Sequence, residues 1–393
     1  MSASPKGFRF ATVSAGFRKE ARPDLALIVS DTPATTAGVF TTNRFQAAPV
    51  VVARENLAAR PVARAVVINS GQANACTGDE GMTNCRTTLD LVGKACGIPA
   101  AEVLPASTGV IGAQLHMDKW REAAPRLAAA LGQNTHHDFA RAIMTTDAFP
   151  KVAERELAIA GTTVRLVGMA KGAGMICPNM ATMLSVVLCD AAVTPEAWQR
   201  LFLDAVDRTF NRVTVDGDTS TNDTVFGLAN GASGVTVEGE DLAKLGEALT
   251  DVLARLAYML VQDGEGATKV MRVKVSGAVD DAEAEAVART VGHSQLVKTA
   301  MYGRDANWGR IVAAVGRSGA SFKAEDVVVT LCGVELFRNG QPTDLDFDTL
   351  LREPLKGRDV AVDIELGAGT GHYELLASDL THDYVNCNAD YRS

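Results

Sequence analysis

Leu25-Ala-Leu-Ile-Val29 and Ala65-Val-Val-Ile68 are apolar at every position, with no polar residue at alternate sites. A strand with one face in water alternates, so a short run that does not alternate buries both faces. The second run ends at Asn69-Ser-Gly71, a turn signal that limits it to strand length. A chain built on such strands needs helices on both sides of a sheet, or a second sheet packed against the first. Pro49-Val-Val-Val52 reads as a further strand of this kind.

Helical spacing follows between these runs, over about Asn84–Cys96 and Asp118–Leu131. The clearest helix starts at Thr194. That threonine is an N-cap, Pro195 takes the first helical position, and Trp198, Leu201, Phe202, Ala205 and Val206 fall on one face. A second apolar stripe runs from Leu242 through Leu245, Leu249, Val252, Leu253 and Leu256 to Leu260, and stops at Asp263-Gly-Glu-Gly266. After residue 270 the pattern changes. Val270–Val275 reads as a strand, two helical stretches cover about Asp281–Gly316, and Val327–Leu331 and Asp359–Leu366 alternate as strands do. At 393 residues the chain is long for one core. The predicted organisation is α/β (α+β), with a core over residues 1–270 and a smaller α+β domain over 271–393.

A net charge of −9 argues against general affinity for nucleic acid or an anionic membrane surface, both of which call for a basic face. No apolar run approaches the roughly 20 residues that span a bilayer. The first ten residues also lack the apolar core of a signal peptide. The expectation is a soluble, cytoplasmic enzyme acting on small molecules. Seven cysteines without a Cys-x-x-Cys pair fit reduced thiols.

Several motifs fail on spacing. Asp216-Gly-Asp-Thr-Ser-Thr-Asn-Asp223 begins like a calcium loop, but its sixth position is Thr221 and its twelfth Gly227. Gly172-Ala-Gly174 and Gly367-Ala-Gly-Thr-Gly371 do not match a dinucleotide fingerprint, and Lys171 precedes its glycines where a phosphate loop places lysine after them. The six histidines show no metal-ligand spacing, and His136-His137 reads as a solvated pair. Neither a nucleotide nor a metal is predicted.

Three patterns remain. Thr108-Gly109 lies in a run of small residues where a hydroxyl and a backbone N–H could hold a developing oxyanion, or form a plain turn. Met144-Thr-Thr-Asp147 and Asp263-Gly-Glu-Gly266 each end a helical pattern, as catalytic groups or as caps. In Lys171-Gly-Ala-Gly-Met-Ile-Cys-Pro-Asn-Met-Ala-Thr182, a Gly-rich loop with one cation leads into an apolar strand that Thr182 opens. If the Thr182 hydroxyl attacked the preceding carbonyl, the resulting ester would hydrolyse and free an α-amine of pKa about 7.7–8.0 beside the nucleophile. The alternative is an ordinary β-branched residue at the start of a strand.

The Lys171–Leu184 segment closely resembles the ornithine acetyltransferase family, also called glutamate N-acetyltransferase, of arginine biosynthesis. So do Asn69–Gly78, Ala106–Gly112, Ala142–Asp147, Asp218–Asp223, Asp263–Gly266, Asn307–Arg310 and Asn388–Ser393, in the family's order and across nearly the whole chain. Ala306, where proline is expected, and Cys387, where an aliphatic residue is usual, depart from the pattern. The resemblance implies a layered αββα core of the self-processing ornithine acetyltransferase/aminopeptidase type, cut between Ala181 and Thr182. It assigns Thr182 as nucleophile, Thr108 and Gly109 as oxyanion hole, and Thr145, Lys171, Thr182, Glu265, Asn388 and Ser393 as substrate contacts. It implies acetyl transfer from N-acetylornithine to glutamate without a cofactor, with acetyl-CoA an added co-substrate in some members. Two N-terminal and two C-terminal fragments would assemble as a heterotetramer. A self-processing amidase or aminopeptidase that passes its acyl group to water is the competing enzyme class.

Overall fold

The structure, a computed structural model, describes residues 4–177 and 183–390. The fold is mixed α/β with two sheets. It divides into two compact units, one of residues 4–211 and 218–260 and the other of 212–217 and 261–390.

The elements of the first unit, in chain order, are β1 (Phe8–Val13), β2 (Leu25–Phe40), α1 (Ala48–Ala59), β3 (Val62–Gln72), α2 (Gly78–Cys96), β4 (Val103–Val110), α3 (Met117–Ala129), α4 (His136–Ala142), β5 (Lys151–Ile159), β6 (Thr162–Lys171), β7 (Leu184–Cys189) and α5 (Pro195–Asp207). After β8 (Val213–Thr214), which joins the second unit's sheet, come β9 (Thr224–Ala229) and α6 (Asp241–Gln262). The sheet runs β4-β3-β2-β9-β7-β6-β5, with β1 also on β2. Strand β2 is the bend. Its Leu25–Val29 segment pairs with β1 and β3, and beyond a register shift its Thr35–Phe40 segment pairs with β9.

This bend explains the non-alternating runs. Ala26 and Ile28 point into a core shared with Val167, Met169, Val186, Leu188, Phe226 and Leu228, so the two halves of the sheet face each other. Leu25, Leu27 and Val29 point the other way, onto Val52 of α1, Leu89 and Val92 of α2, and Trp120 and Leu127 of α3. Fully burying such a side chain stabilises by about 1.5–3 kcal/mol. The outer face of the other half is covered by α5 and α6. Trp198 Nε1–H donates to the Gly227 carbonyl at 2.9 Å, and a Cβ on Gly168 would meet Val252 and Leu256 at 2.7 Å. The layers are therefore helix, sheet, sheet, helix.

Two local expectations are corrected. Pro49–Val52 is the first turn of α1, with proline at a position where its missing N–H costs nothing. Packing against the sheet outweighs the β preference of three valines there. Helix α2 starts at Gly78, with Asp79 and Glu80 in its first turn, where acidic groups complement the helix dipole.

In the second unit, β10 (Val270–Ala278), α7 (Asp281–Gly292), α8 (Gln295–Tyr302), α9 (Trp308–Gly316), β11 (Val328–Leu331), β12 (Val334–Arg338), β13 (Gln341–Pro342), α10 (Phe347–Leu351), β14 (Asp359–Glu365), β15 (Gly371–Ser378) and α11 (His382–Asp390) form a sheet of order β13-β12-β11-β14-β10-β15-β8 with helices packed on it. Val273, Val275, Val287, Val291, Ile311, Val362 and Leu375 share its core. The buried Lys298 fastens β8, with Nζ donating to the carbonyls of Val215 and Ser378 at 2.7 and 2.5 Å.

Candidate active site

Thr108 and Gly109 lie within a strand and not in a turn; they are the two residues before the last of β4, in parallel register with Ser70 and Gly71 of β3. Gly109 has φ +130°, and a Cβ on it would lie 2.3 Å from the Gly71 carbonyl carbon. Two facing glycines let the strand ends approach this closely, and no other residue fits at 109. The neighbouring Thr108 is 7% exposed. Its Oγ1 accepts a hydrogen bond from Lys171 Nζ at 3.0 Å. A hydroxyl that accepts from an ammonium points its own hydrogen elsewhere, which suits donation to an oxyanion.

Lys171 ends β6 and faces Leu184, the first residue of β7, across the ladder. The cut expected between Ala181 and Thr182 falls between these two strands in sequence, and both residues lie outside the described residues. Lys171 is buried, and Asp147 binds the backbone immediately after it. Asp147 Oδ1 accepts from Gly172 N–H at 2.6 Å and from Lys151 Nζ at 2.6 Å, while Oδ2 accepts from Thr145 N–H at 2.9 Å. Burial pushes the Asp147 carboxyl up. The Lys151 and Lys171 charges, the Lys151 hydrogen bond and the Gly172 N–H outweigh it and hold the group down at about 2. Asp147 thus ties Thr145 to the Lys171 corner. From the other side, Arg18 donates to the Met144 carbonyl at 2.6 Å and Arg22 to the Thr145 carbonyl at 3.1 Å. Buried Asp24 in turn accepts from the Ala15, Phe17 and Arg18 amides and so sets the loop that carries Arg18.

The rejected calcium motif serves as a brace. Asn222 Nδ2 donates to the carbonyls of Ala73 and Ser107 at 2.6 and 2.9 Å, gripping the strand beside Thr108. Asp223 Oδ1 accepts from Met183 N–H at 2.8 Å, and Thr224 N–H donates to the Met183 carbonyl at 3.1 Å. The backbone just after the junction is therefore held on both sides. Asp223 Oδ2 is buried and has no hydrogen-bond partner among the described residues. Burial raises the Asp223 carboxyl well above its ordinary range, against the Met183 N–H, the Lys171 charge and the Ser220 N–H.

Within the second unit, Asn388 Nδ2 donates to Glu265 Oε2 at 2.9 Å. Gly266, with φ +66°, lets the Glu265 turn run under α11, because a Cβ there would sit 2.5 Å from the Tyr384 nitrogen. Ser393 lies outside the described residues. The first unit thus gathers Thr108, Gly109, Thr145 and Lys171, and the second pairs Glu265 with Asn388. Lys151, Asn222 and Asp223 were missed as site residues. Only a charged residue bordering an apolar strand could have hinted at Lys151 and Asp223. Among the described residues, one group, His136, His137 and Glu154, offers clustered ligand atoms suited to a metal.

A sequence profile of the ArgJ family matches residues 9–393. The chain belongs to the ArgJ family. It is 99% identical, over the full length of both chains, to the arginine biosynthesis bifunctional protein ArgJ of Nitratidesulfovibrio vulgaris. It is 48% identical to the protein of that name from Geobacter sulfurreducens, over 99% of each chain. A crystal structure of the ArgJ protein of Bacillus halodurans, 38% identical, aligns over 53% of this chain and all of its own with a TM-score of 0.51. The ArgJ family is one of arginine biosynthesis, and membership accounts for the order in which the motifs occur. No helix among the described residues is long and apolar enough to cross a membrane.

Proposed function

We propose that this ArgJ-family chain cuts itself between Ala181 and Thr182 and then transfers acetyl from N2-acetyl-L-ornithine to L-glutamate through an acetyl ester on Thr182. The observation that carries this reading is the Lys171–Thr108 hydrogen bond beside the close Gly71–Gly109 approach. It combines a cation suited to a carboxylate with a hydroxyl suited to an oxyanion, the cation at the end of the strand that precedes residues 181 and 182 in sequence.

In this reading the Thr182 hydroxyl attacks the acetyl carbonyl and its proton passes to the freed α-amine. Thr108 O–H and the Gly109 N–H stabilise the tetrahedral anion. The C–N bond breaks, ornithine leaves with the proton, and the acetyl group stays on Thr182 Oγ. Glutamate's amine then attacks the ester in the reverse sense. Lys171 pairs with the α-carboxylate common to both amino acids, Thr145 completes that end, and Glu265, Asn388 and Ser393 handle the amine. The transfer needs no cofactor. The name bifunctional in relatives this similar supports a second donor, with acetyl-CoA acetylating glutamate. The processed fragments assemble as a heterotetramer in the cytoplasm.

Thr182→Ala should run as one full-length band on a denaturing gel while the parent gives two. Two bands from the variant would refute the nucleophile. Ornithine release without glutamate at the rate seen with it would instead favour a hydrolase.

A further inference from the structure

His136 and His137 do not form the solvated pair expected from sequence. His136 is 3% exposed, whereas the side chains of His137 and Glu154 are 38% and 27% exposed. Neighbours on a helix point about 100° apart. Both Nε2 atoms nevertheless turn to one oxygen, Glu154 Oε1 of β5, at 2.7 Å from His136 and 3.8 Å from His137. The two rings are 4.4 Å apart and inclined by 39°. The three ligand atoms all lie within 4.8 Å of one another. Behind them, Ser4 Oγ sits 2.8 Å from His136 Nδ1, and Phe10 packs against the same ring. The charged neighbours are otherwise engaged. Asp138 bonds Thr135 and faces Arg141, and Arg255 donates to the Glu154 backbone carbonyl and not to its carboxylate.

From this convergence we propose that His136, His137 and Glu154 bind a divalent cation of the zinc class. Zinc bonds to imidazole nitrogen and carboxylate oxygen are about 2.0–2.2 Å long, which puts ligand atoms of a tetrahedral site about 3.3 Å apart. The 2.7 and 3.8 Å separations bracket that value, so binding requires only small side-chain shifts. The cation takes the place of the proton between His136 Nε2 and Glu154 Oε1, and the neutral ring keeps that one proton by adopting its other tautomer, with the hydrogen on Nδ1. Ser4 Oγ accepts from Nδ1–H and fixes the tautomer that presents Nε2 to the ion. A fourth position, on the exposed side of His137, is left for water. Two imidazoles favour zinc, nickel or copper over magnesium or calcium. The ion would clamp α4 to β5 without entering the acetyl chemistry, so the proposal stands apart from the transferase reading.

Full-length protein stripped with EDTA is titrated with Zn²⁺ by calorimetry, alongside His137→Ala and Glu154→Gln. The result expected is one equivalent per chain at micromolar affinity, weakened about tenfold or more in each variant. Zinc should raise the melting temperature of the parent alone. Equal affinity in the parent and both variants would assign the ion to other groups, such as exposed Cys76, and overturn the proposal; so would no heat of binding at all. His137 is partly exposed, so its replacement should leave the metal-free melting temperature nearly unchanged and separate lost ligation from lost folding.

Discussion

Asp147→Asn removes one charge and keeps the volume. Asp147 and Lys151 have side chains that are 0% exposed, and the carboxylate accepts three hydrogen bonds. Its pKa falls from 3.8 to about 2 on folding. A shift of nearly two units at 1.36 kcal/mol each is worth about 2 kcal/mol at neutral pH. Leaving Lys151 buried without its partner charge argues for about 3–5 kcal/mol. The two figures describe overlapping effects, so the expected loss at pH 7 is about 3 kcal/mol. The folded pKa is depressed, so this stability is fully present above about pH 4–5 and is lost as pH falls through about 2. Urea unfolding followed by tryptophan fluorescence reads the first unit, which holds Trp120 and Trp198 of the three tryptophans. The parent's midpoint should fall between pH 5 and pH 2.5, and the gap to Asp147→Asn should narrow over that range. Equal midpoints at pH 7, or a gap independent of pH, would refute this account of the buried pair.

Gly109→Ala places a methyl 2.3 Å from the Gly71 carbonyl carbon at φ +130°; it should destabilise by on the order of 3 kcal/mol and abolish transfer, and wild-type kcat would remove the close approach from the mechanism. Lys171→Ala should raise KM for acetylornithine and glutamate together, and an unchanged KM would remove its carboxylate role. Asp223→Asn tests the opposite sign of linkage. A raised folded pKa means the native state holds its proton above pH 4, so the parent loses stability as pH rises through the folded value while the variant does not; parallel stability curves for parent and variant would contradict it.

The fold was legible where burial imposes a pattern. Leu25–Val29 read correctly as a strand covered on both faces, and Thr194-Pro195 correctly marked α5, whose cap accepts from Ala197 N–H. Pro49–Val52 misled, because local β preference was outweighed by packing that only the assembled sheet provides. At the site, Lys171 was visible as the lone cation of a Gly-rich loop. Its partner Thr108 lies 63 residues away, and the chain carries no local sign of that pairing. The same holds for His136 and Glu154, brought together by a helix start and a strand. Asp223 sits in a failed calcium motif, and its partner is the backbone N–H of Met183, just ahead of β7; backbone donors leave no mark in composition.

The central claim is that one threonine carries the acetyl group. Intact-mass spectrometry of the processed protein after mixing with N-acetylornithine, with glutamate withheld, tests it most directly. The account predicts one added acetyl group on the 182–393 fragment, localised to Thr182 by peptide mapping and lost on adding glutamate. A fragment that stays unmodified while acetylglutamate still forms, or an acetyl group on another residue, would contradict it.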